Sequence, residues 1–162
     1  MTKTISFSLS QANPGKLASI SSIFTEARSA LQSYINYYWD RQDYTSKFTK
    51  FKVQSRLSPA LLQVLGKQAL DIMRSLTKKR KKSRPILKNL TIVLDQRFCP
   101  SLKIDNRHFD LWFRLTGLMA RPIKTNLKLP LRSHRLYKRY LRENWTLKIN
   151  VWQRGERMMH GF

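Results

Sequence analysis

The sequence predicts an α+β fold, in which a small antiparallel, OB-like β-barrel carries a helical insertion after its first strand. Apolar residues recur at helical spacing in the first half of the chain and alternate with polar residues before and after that region. A lone first strand is not stable by itself, so we expect it to pair with the later strands. The predicted units are a first barrel strand (1–12), a helical insertion (13–88) and the remaining barrel (89–162).

The first strand and the first helix follow directly from local pattern. Ile5, Phe7 and Leu9 alternate with serines, as in a half-buried strand. Asn13-Pro14 then predicts a helix start, because Asn caps a helix and Pro at the first position has no N–H to leave unpaired. The apolar stripe of this helix comprises Leu17, Ile20, Phe24, Ala27, Leu31, Tyr34, Ile35 and Tyr38. We interpret the aromatic residues near its end as core rather than as base-stacking groups.

A second helix is predicted to begin at Ser58-Pro59, after a connector over residues 43–56. Its apolar stripe comprises Leu61, Leu62, Leu65, Ala69, Ile72, Met73 and Leu76. Beyond the helix the period of the pattern changes to two, which predicts strands at 90–94, 109–115, 127–131 and 145–152. Residues 136–143 fit one or two helical turns, and we expect the single cysteine, Cys99, to be buried.

The charge of the chain excludes several classes of protein. The 162 residues carry a formal net charge of +23, yet 41% are hydrophobic, too many for a disordered basic tail. An excess of this size favours a polyanionic partner, because the charges otherwise repel one another. One cysteine excludes a disulfide scaffold, and the longest uncharged run, Thr4 to Gly15, is too short to span a membrane. We therefore expect a soluble, intracellular protein with no membrane partner.

Most of the positive charge lies in the second half of the chain. Residues 1–77 have a net charge of +6 and residues 78–162 a net charge of +17. The change occurs at a cluster that we call the basic cluster, which comprises Lys78, Lys79, Arg80, Lys81, Lys82 and Arg84. Because the cluster contains no aromatic residue, it is predicted to contact phosphates rather than bases. The alternative is a solvated helix end stabilised by the helix dipole.

A second basic segment combines cations with two tyrosines, Tyr137 and Tyr140. Such a mixture suits base stacking together with contacts to the backbone of a folded or single-stranded nucleic acid. Its predicted binding residues are Arg132, His134, Arg135, Lys138, Arg139 and Arg142, and we assign Lys124 and Lys128 to the same kind of surface. The alternative is a basic surface helix with Leu136, Tyr140 and Leu141 packed beneath it.

Residues with catalytic potential are few. The nine carboxylates are scattered, and the pair Asp40 and Asp43 is interpreted as solvated. The sequence has no Cys-x-x-Cys, no glycine-rich phosphate loop and no nucleophile elbow. We therefore predict no enzymatic activity, no cofactor and no metal site for the chain alone.

Several segments together carry a resemblance to a known family. They are Asn13-Pro14-Gly15-Lys16-Leu17, the segment from Leu61 to Leu76 leading to the basic cluster, Ile123 to Leu131, Trp145 to Ile149, and Gly155-Glu156-Arg157. In this order they resemble the N-terminal half of TnpB-type (OrfB) transposon proteins, which are related to type V CRISPR effectors. The resemblance implies a wedge barrel and a helical recognition lobe that bind a guide RNA and the DNA flanking its target.

The resemblance also implies how the second helix contacts DNA and what the chain lacks. Gln63 would contact an adenine, and Lys67 a guanine edge or a phosphate, in the flanking duplex. The RuvC-like nuclease of the family begins with Asp-x-Gly, a motif that this sequence does not contain. A separate chain carrying that nuclease is thus an expected partner, and we expect it to cover a free apolar tail that includes Met158, Met159 and Phe162.

The sequence-based hypothesis is thus a non-cleaving nucleic-acid-binding subunit of an RNA-guided DNA-targeting system. Its expected partners are a guide RNA and a target DNA duplex, and its expected location is the prokaryotic cytoplasm, associated with the nucleoid. The alternative hypothesis is a structural RNA-binding protein of the ribosomal or ribonucleoprotein type.

Overall fold

A computed structural model describes residues 6–42, 44, 51–79, 83–94, 97–104, 111–123, 125–131, 149–154 and 157–161. These residues form two helices and seven strands. The helices are α1 (Pro14–Arg41) and α2 (Pro59–Lys78). The strands are β1 (Ser6–Ser8), β2 (Leu90–Leu94), β3 (Ser101–Ile104), β4 (Leu111–Thr116), β5 (Asn126–Leu131), β6 (Ile149–Arg154) and β7 (Arg157–Gly161). The helical turns expected at 136–143 lie outside the described residues.

Both predicted helix starts are confirmed, and each is capped as its sequence suggests. The Asn13 side chain accepts a hydrogen bond from the Gly15 N–H at 2.8 Å, and Pro14 occupies the first turn. The Ser58 hydroxyl likewise accepts a hydrogen bond from the Leu61 N–H at 3.2 Å. These side chains pair backbone N–H groups that have no partner within the helix. The paired caps therefore account for where the two helices begin.

All described strand pairs are antiparallel, and they form two sheets. The first has the order β1-β7-β6-β2 and the second the order β3-β4-β5. The predicted pairing of the first strand with a later one is confirmed, since Phe7 in β1 stands opposite His160 in β7. An α+β architecture with antiparallel sheets is thus established, and the described strands do not by themselves close a barrel.

The expected free tail is wrong, because residues 157–161 form β7, an inner strand of the first sheet. Met159 in β7 pairs with Trp152 in β6 on one side and with Ser8 in β1 on the other. A strand with neighbours on both sides is held by two hydrogen-bonded ladders, which a free tail lacks. This segment is therefore part of the first sheet. Phe162 lies outside the described residues.

One buried cluster joins the helices to the strands. It includes Leu31 and Leu65 from the helices and Phe113 and Leu129 from the second sheet, each 0–1% exposed. The expected burial of Cys99 is confirmed. Since this core crosses the borders of the three units expected from the sequence, their limits stay a prediction.

The aromatic end of α1 belongs to the interior, as predicted for Tyr34 and Tyr38, which are both buried. Burial raises the pKa of the Tyr34 hydroxyl above its ordinary value, and the neighbouring Tyr38 adds to the rise. Tyr37 is half-buried and stacks on Phe51 with the ring centroids 4.4 Å apart. These side chains thus attach the connector to α1.

Backbone contacts hold the start of α2 against the second sheet. Leu57 forms an antiparallel bridge with Met119, just after β4. The Ser58 N–H donates to the Leu118 carbonyl at 2.9 Å, and the Ala120 N–H donates to the Arg56 carbonyl at 2.8 Å. The position of α2 relative to this sheet is therefore fixed at its N-terminal end.

A carboxylate on α1 holds the same connector. Glu26 accepts hydrogen bonds from the Ser55 hydroxyl at 2.8 Å, from the Arg56 N–H, and from Arg56 Nε at 3.2 Å. Partial burial acts to raise the pKa of Glu26, but these hydrogen bonds and the Arg56 charge outweigh it, so the pKa is lowered overall. The ionised form of Glu26 is thus stabilised by the fold.

Neither of the two described helices is long and apolar enough to cross a membrane.

Candidate nucleic-acid interface

The outer surface of α2 carries a row of cations that we call the α2 stripe, formed by Lys67, Arg74 and Lys78. All three residues are exposed, while Leu61, Leu65 and Ala69 are buried on the opposite side of the helix. At 100° per residue the three cations lie within an arc of about 40°, and at 1.5 Å per residue they extend over about 16 Å. The stripe is therefore a linear array of positive charge.

The helix dipole explains only part of this arrangement. Lys78 lies in the last turn of α2, and Lys79 is the C-cap, where cations are favoured by the carbonyl end of the helix. That effect disappears beyond the last turn, so it gives no reason for Lys67, three turns earlier. The helix dipole therefore does not account for the extension of the stripe along α2.

The members of the stripe differ in their contacts. Arg74 lies 3.8 Å from Asp71, and its Nε donates to the Tyr44 carbonyl at 2.9 Å. Lys67, Lys78 and Lys79 have no carboxylate in salt-bridge range among the described residues. These three lysines are thus the groups on α2 that are best placed to meet phosphates.

Gln63 lies one turn before Lys67, at the N-terminal end of the stripe, as predicted from its spacing. It is half-buried, and its Oε1 accepts a hydrogen bond from Arg97 Nη1 at 3.5 Å, the upper limit for such a bond. A contact of this length is weak and easily exchanged for a better one. Arg97, a cation that sequence reasoning missed, therefore lies beside the Gln63 amide without fixing its position.

Arg84 stands apart from the other described members of the basic cluster because it is ion-paired. Its Nη2 donates to Oδ1 of Asp40, a side chain that we expected to be solvated, near the end of α1. Both side chains remain about half exposed, so the pair has little energetic value but offsets the Arg84 charge. Arg80, Lys81, Lys82 and Asp43 lie outside the described residues.

Lys128 belongs to a different surface, on the edge strand β5 of the second sheet. It is exposed and stands opposite Arg114 on β4, and its carbonyl accepts a hydrogen bond from Lys16 Nζ at 2.7 Å. Sequence reasoning did not find Arg114 or Lys16, because only strand register and tertiary packing place them beside Lys128. The alternation of β4 does show that Arg114 faces away from the core.

The remaining predicted binding residues lie outside the described part of the chain; they are Lys124, Arg132, His134, Arg135, Lys138, Arg139 and Arg142. The structure thus brings Gln63, Lys67, Lys78 and Lys79 together on α2 and places Lys128 on the second sheet. Within the described residues, no three His, Cys, Asp or Glu side chains are grouped so that they could hold a metal ion. No protein-family model matches the sequence, and comparison with curated proteins finds no significant match.

Proposed function

We propose that this chain is a nucleic-acid-binding subunit of an RNA-guided DNA-targeting system. In this proposal it binds a guide RNA and the DNA flanking the target, and it has no cleavage activity of its own. The observation that carries the proposal is the α2 stripe, which continues through Lys79 into the basic cluster of the sequence. A continuous row of exposed cations on a rigid helix matches the regular charge of a phosphate backbone.

The net charge supports a polyanionic ligand rather than a small acidic molecule. The sequence has 32 Lys and Arg against 9 Asp and Glu. Three of those carboxylates, Glu26, Asp40 and Asp71, are already paired with arginines in the described structure. Internal pairing therefore leaves most of the positive charge uncompensated, as expected for a protein that neutralises many phosphates.

The RNA-guided part of the proposal depends on the resemblance to the N-terminal half of TnpB-type proteins. In this proposal α1 and α2 are the recognition lobe, and the two antiparallel sheets are parts of one OB-like wedge barrel. The binding residues are those assigned from the sequence, with Gln63 and Lys67 at the flanking DNA. A RuvC-like nuclease in a separate chain would supply cleavage, and the prokaryotic nucleoid would be the site of action. That chain would not pair with β7 as an added strand, because both edges of β7 are occupied by β1 and β6.

The test is RNA-dependent recognition of DNA by the full chain. The protein is purified from cells with its bound RNA, the RNA is sequenced, and binding is measured to duplexes that match or mismatch it. We expect tight binding only to matched duplexes with one flanking sequence, and no cutting when Mg²⁺ or Mn²⁺ is added.

Two outcomes would contradict the proposal. Tight RNA binding without any dependence on DNA sequence would indicate the alternative, a structural RNA-binding protein. Metal-dependent cutting by the single chain would show that it carries its own catalytic site, since two-metal cleavage needs converging carboxylates. A control preparation treated with ribonuclease should lose DNA recognition and keep its fold.

A further inference from the structure

The second sheet has an outward face that combines an aromatic ring with cations. Along β4, buried and half-buried residues alternate from Leu111 to Thr116, so Trp112 and Arg114 lie on the face away from the core. Strand register places Arg114 opposite Lys128, which is exposed, and Trp112 opposite Pro130, which is buried. Directly opposed residues project to the same side of a sheet, so Trp112, Arg114 and Lys128 share one surface.

Two cations lie on this surface, and a third, from α1, reaches the backbone of β5 beside them. Arg114 Nε donates to the Asn126 side chain at 2.9 Å, which holds the guanidinium on the sheet. Lys16, from the first turn of α1, donates its Nζ to the Lys128 carbonyl at 2.7 Å. Arg114, Lys128 and Lys16 have no carboxylate in salt-bridge range among the described residues. Like charges directly opposite on antiparallel strands destabilise a sheet, and a bound anion would remove that repulsion.

Trp112 distinguishes this surface from the α2 stripe. It is half-buried and lies two positions from Arg114 on the same strand, which is a separation of about 6.8 Å. Aromatic side chains beside cations on a sheet are the means by which proteins bind unpaired nucleotides, with bases stacked and phosphates neutralised. The α2 stripe has cations only, which suits the backbone of a duplex, whose bases are already stacked on one another.

We infer that Trp112, Arg114, Lys128 and Lys16 form a second subsite, which binds a single-stranded segment of nucleic acid. One unpaired base stacks on the Trp112 indole, and the cations neutralise the adjacent phosphates. The inference rests on the proposed function only in that the ligand is nucleic acid. It adds a separate location, a separate form of ligand and a stacking residue.

The test compares three labelled ligands of equal length on the full chain: a single-stranded oligothymidylate, the same strand with abasic positions, and a duplex. Trp112→Ala should weaken binding to the single strand by about 5- to 150-fold, the usual effect of losing one stacked base. Trp112→Phe should retain most of the affinity, because a ring remains. Abasic positions should weaken binding to the native protein and not to Trp112→Ala. Duplex binding should change by less than about 2-fold, because the duplex is expected at α2, and distant, independent sites have nearly additive effects.

Charge variants provide a second measurement that does not alter the half-buried ring. Replacing Lys16 and Lys128 by Ala should reduce the salt slope for the single strand by about 1.4, or about 0.7 for each phosphate contact. Lys52 and Lys88 are exposed lysines that belong neither to the second sheet nor to α1, and their double Ala variant is the control for lost charge. Circular dichroism and thermal unfolding establish that each variant is folded.

The results separate this inference from the proposed function. If the native protein binds neither form of nucleic acid, both are overturned. If it binds duplex or structured RNA, but neither Trp112→Ala nor the Lys16 and Lys128 variant selectively weakens single-strand binding, only the second subsite is overturned. An equal loss on duplex and single strand would also overturn it, because a general loss of charge or fold affects both ligands. Should Trp112→Ala fail to fold, the charge variant and the effect of abasic positions on binding by the native protein decide the question.

Discussion

Removal of the unpaired lysines of α2 provides the most direct measurement of how this helix contacts nucleic acid. The change is a triple variant, Lys67→Ala, Lys78→Ala and Lys79→Ala, which leaves Arg74 in its contacts with Asp71 and Tyr44. All three lysines are exposed, so the substitutions remove charge and no packing. Alanine is also a good helix former, so α2 should persist.

The expected effect follows from the spacing of the charges. The two stripe lysines are separated by about 16 Å of helix, a length that passes about five phosphates of one DNA strand at 3.4 Å each. The three lysines can therefore reach different phosphates, and each lost contact reduces the log–log salt slope by about 0.9. The slope of the triple variant should be shallower by about 2.7. Between 50 and 200 mM salt, the ratio of native to variant affinity should then fall by about 40-fold.

The assay is a titration of a labelled duplex with the full chain at four salt concentrations, with circular dichroism to verify the fold. The control variant replaces Lys52, Lys88 and Arg121 by Ala; these residues are also exposed but are not part of α2. The control variant loses the same charge as the triple variant, but at positions outside the α2 stripe. Its salt slope should therefore change less than that of the triple variant. Equal slopes for the native protein and the triple variant would refute the assignment and leave the α2 stripe a solvated helix face.

Three further predictions test specificity and stability. Gln63→Ala should cost about 1–3 kcal/mol on one flanking DNA sequence and little on others in competition binding; a uniform loss would instead indicate a backbone or packing role. Glu26→Ala should lower the free energy of unfolding at pH 7 by about 1–3 kcal/mol, because it removes an ionised acceptor. The folded pKa of Glu26 lies below its ordinary value near 4.5, so the ionised side chain stabilises the fold above that pH and loses this effect as the carboxylate is protonated. In urea unfolding, the difference in stability between the native protein and Glu26→Ala should therefore shrink as the pH falls below about 4.5. A difference in stability that does not depend on pH would contradict this prediction. Leu65→Ala should lower the free energy of unfolding by about 2–5 kcal/mol in urea unfolding, because Leu65 is fully buried. Leu62→Ala should lower it by less, because Leu62 is half-buried. Equal losses for the two variants would argue against the helix interface described above.

The helices could be predicted from the sequence because their determinants are local. Asn13-Pro14 and Ser58-Pro59 supply caps within three residues of the N–H groups that they pair, and the apolar spacing defines the buried sides. The burial of Cys99 and Tyr34 was predictable for a related reason, since apolar side chains in such patterns usually belong to the core.

Two strands were not predicted, because their stability depends on neighbours that are distant in sequence. β3 has four residues, and β7 has the sequence Arg-Met-Met-His-Gly, which has neither β-branched residues nor clear alternation. Strand formation depends strongly on packing against adjacent strands. β7 is bordered by β1 and β6, and that context outweighs its weak local preference.

The residues of the candidate interface also divide into those that local sequence predicts and those that depend on contacts distant in sequence. The cations of α2 were predictable from helical spacing, which places Lys67 and Lys78 on one side. The pairing of Arg84 with Asp40 and the approach of Lys16 to Lys128 join residues from different elements. Such contacts depend on tertiary structure, so a sequence can indicate that cations bind an anion without showing which of them are already neutralised.

The pairing of β1 with β7 has a consequence for the order of events during synthesis. β1 lies near the start of this sequence, and its hydrogen-bonding partner lies near the end. Contacts between residues so distant in sequence form slowly, because the intervening chain loses conformational freedom when its ends meet. Both helices therefore leave the ribosome before β7, the strand with which β1 pairs, has been synthesised. The first sheet stays incomplete until almost all of this sequence has been translated.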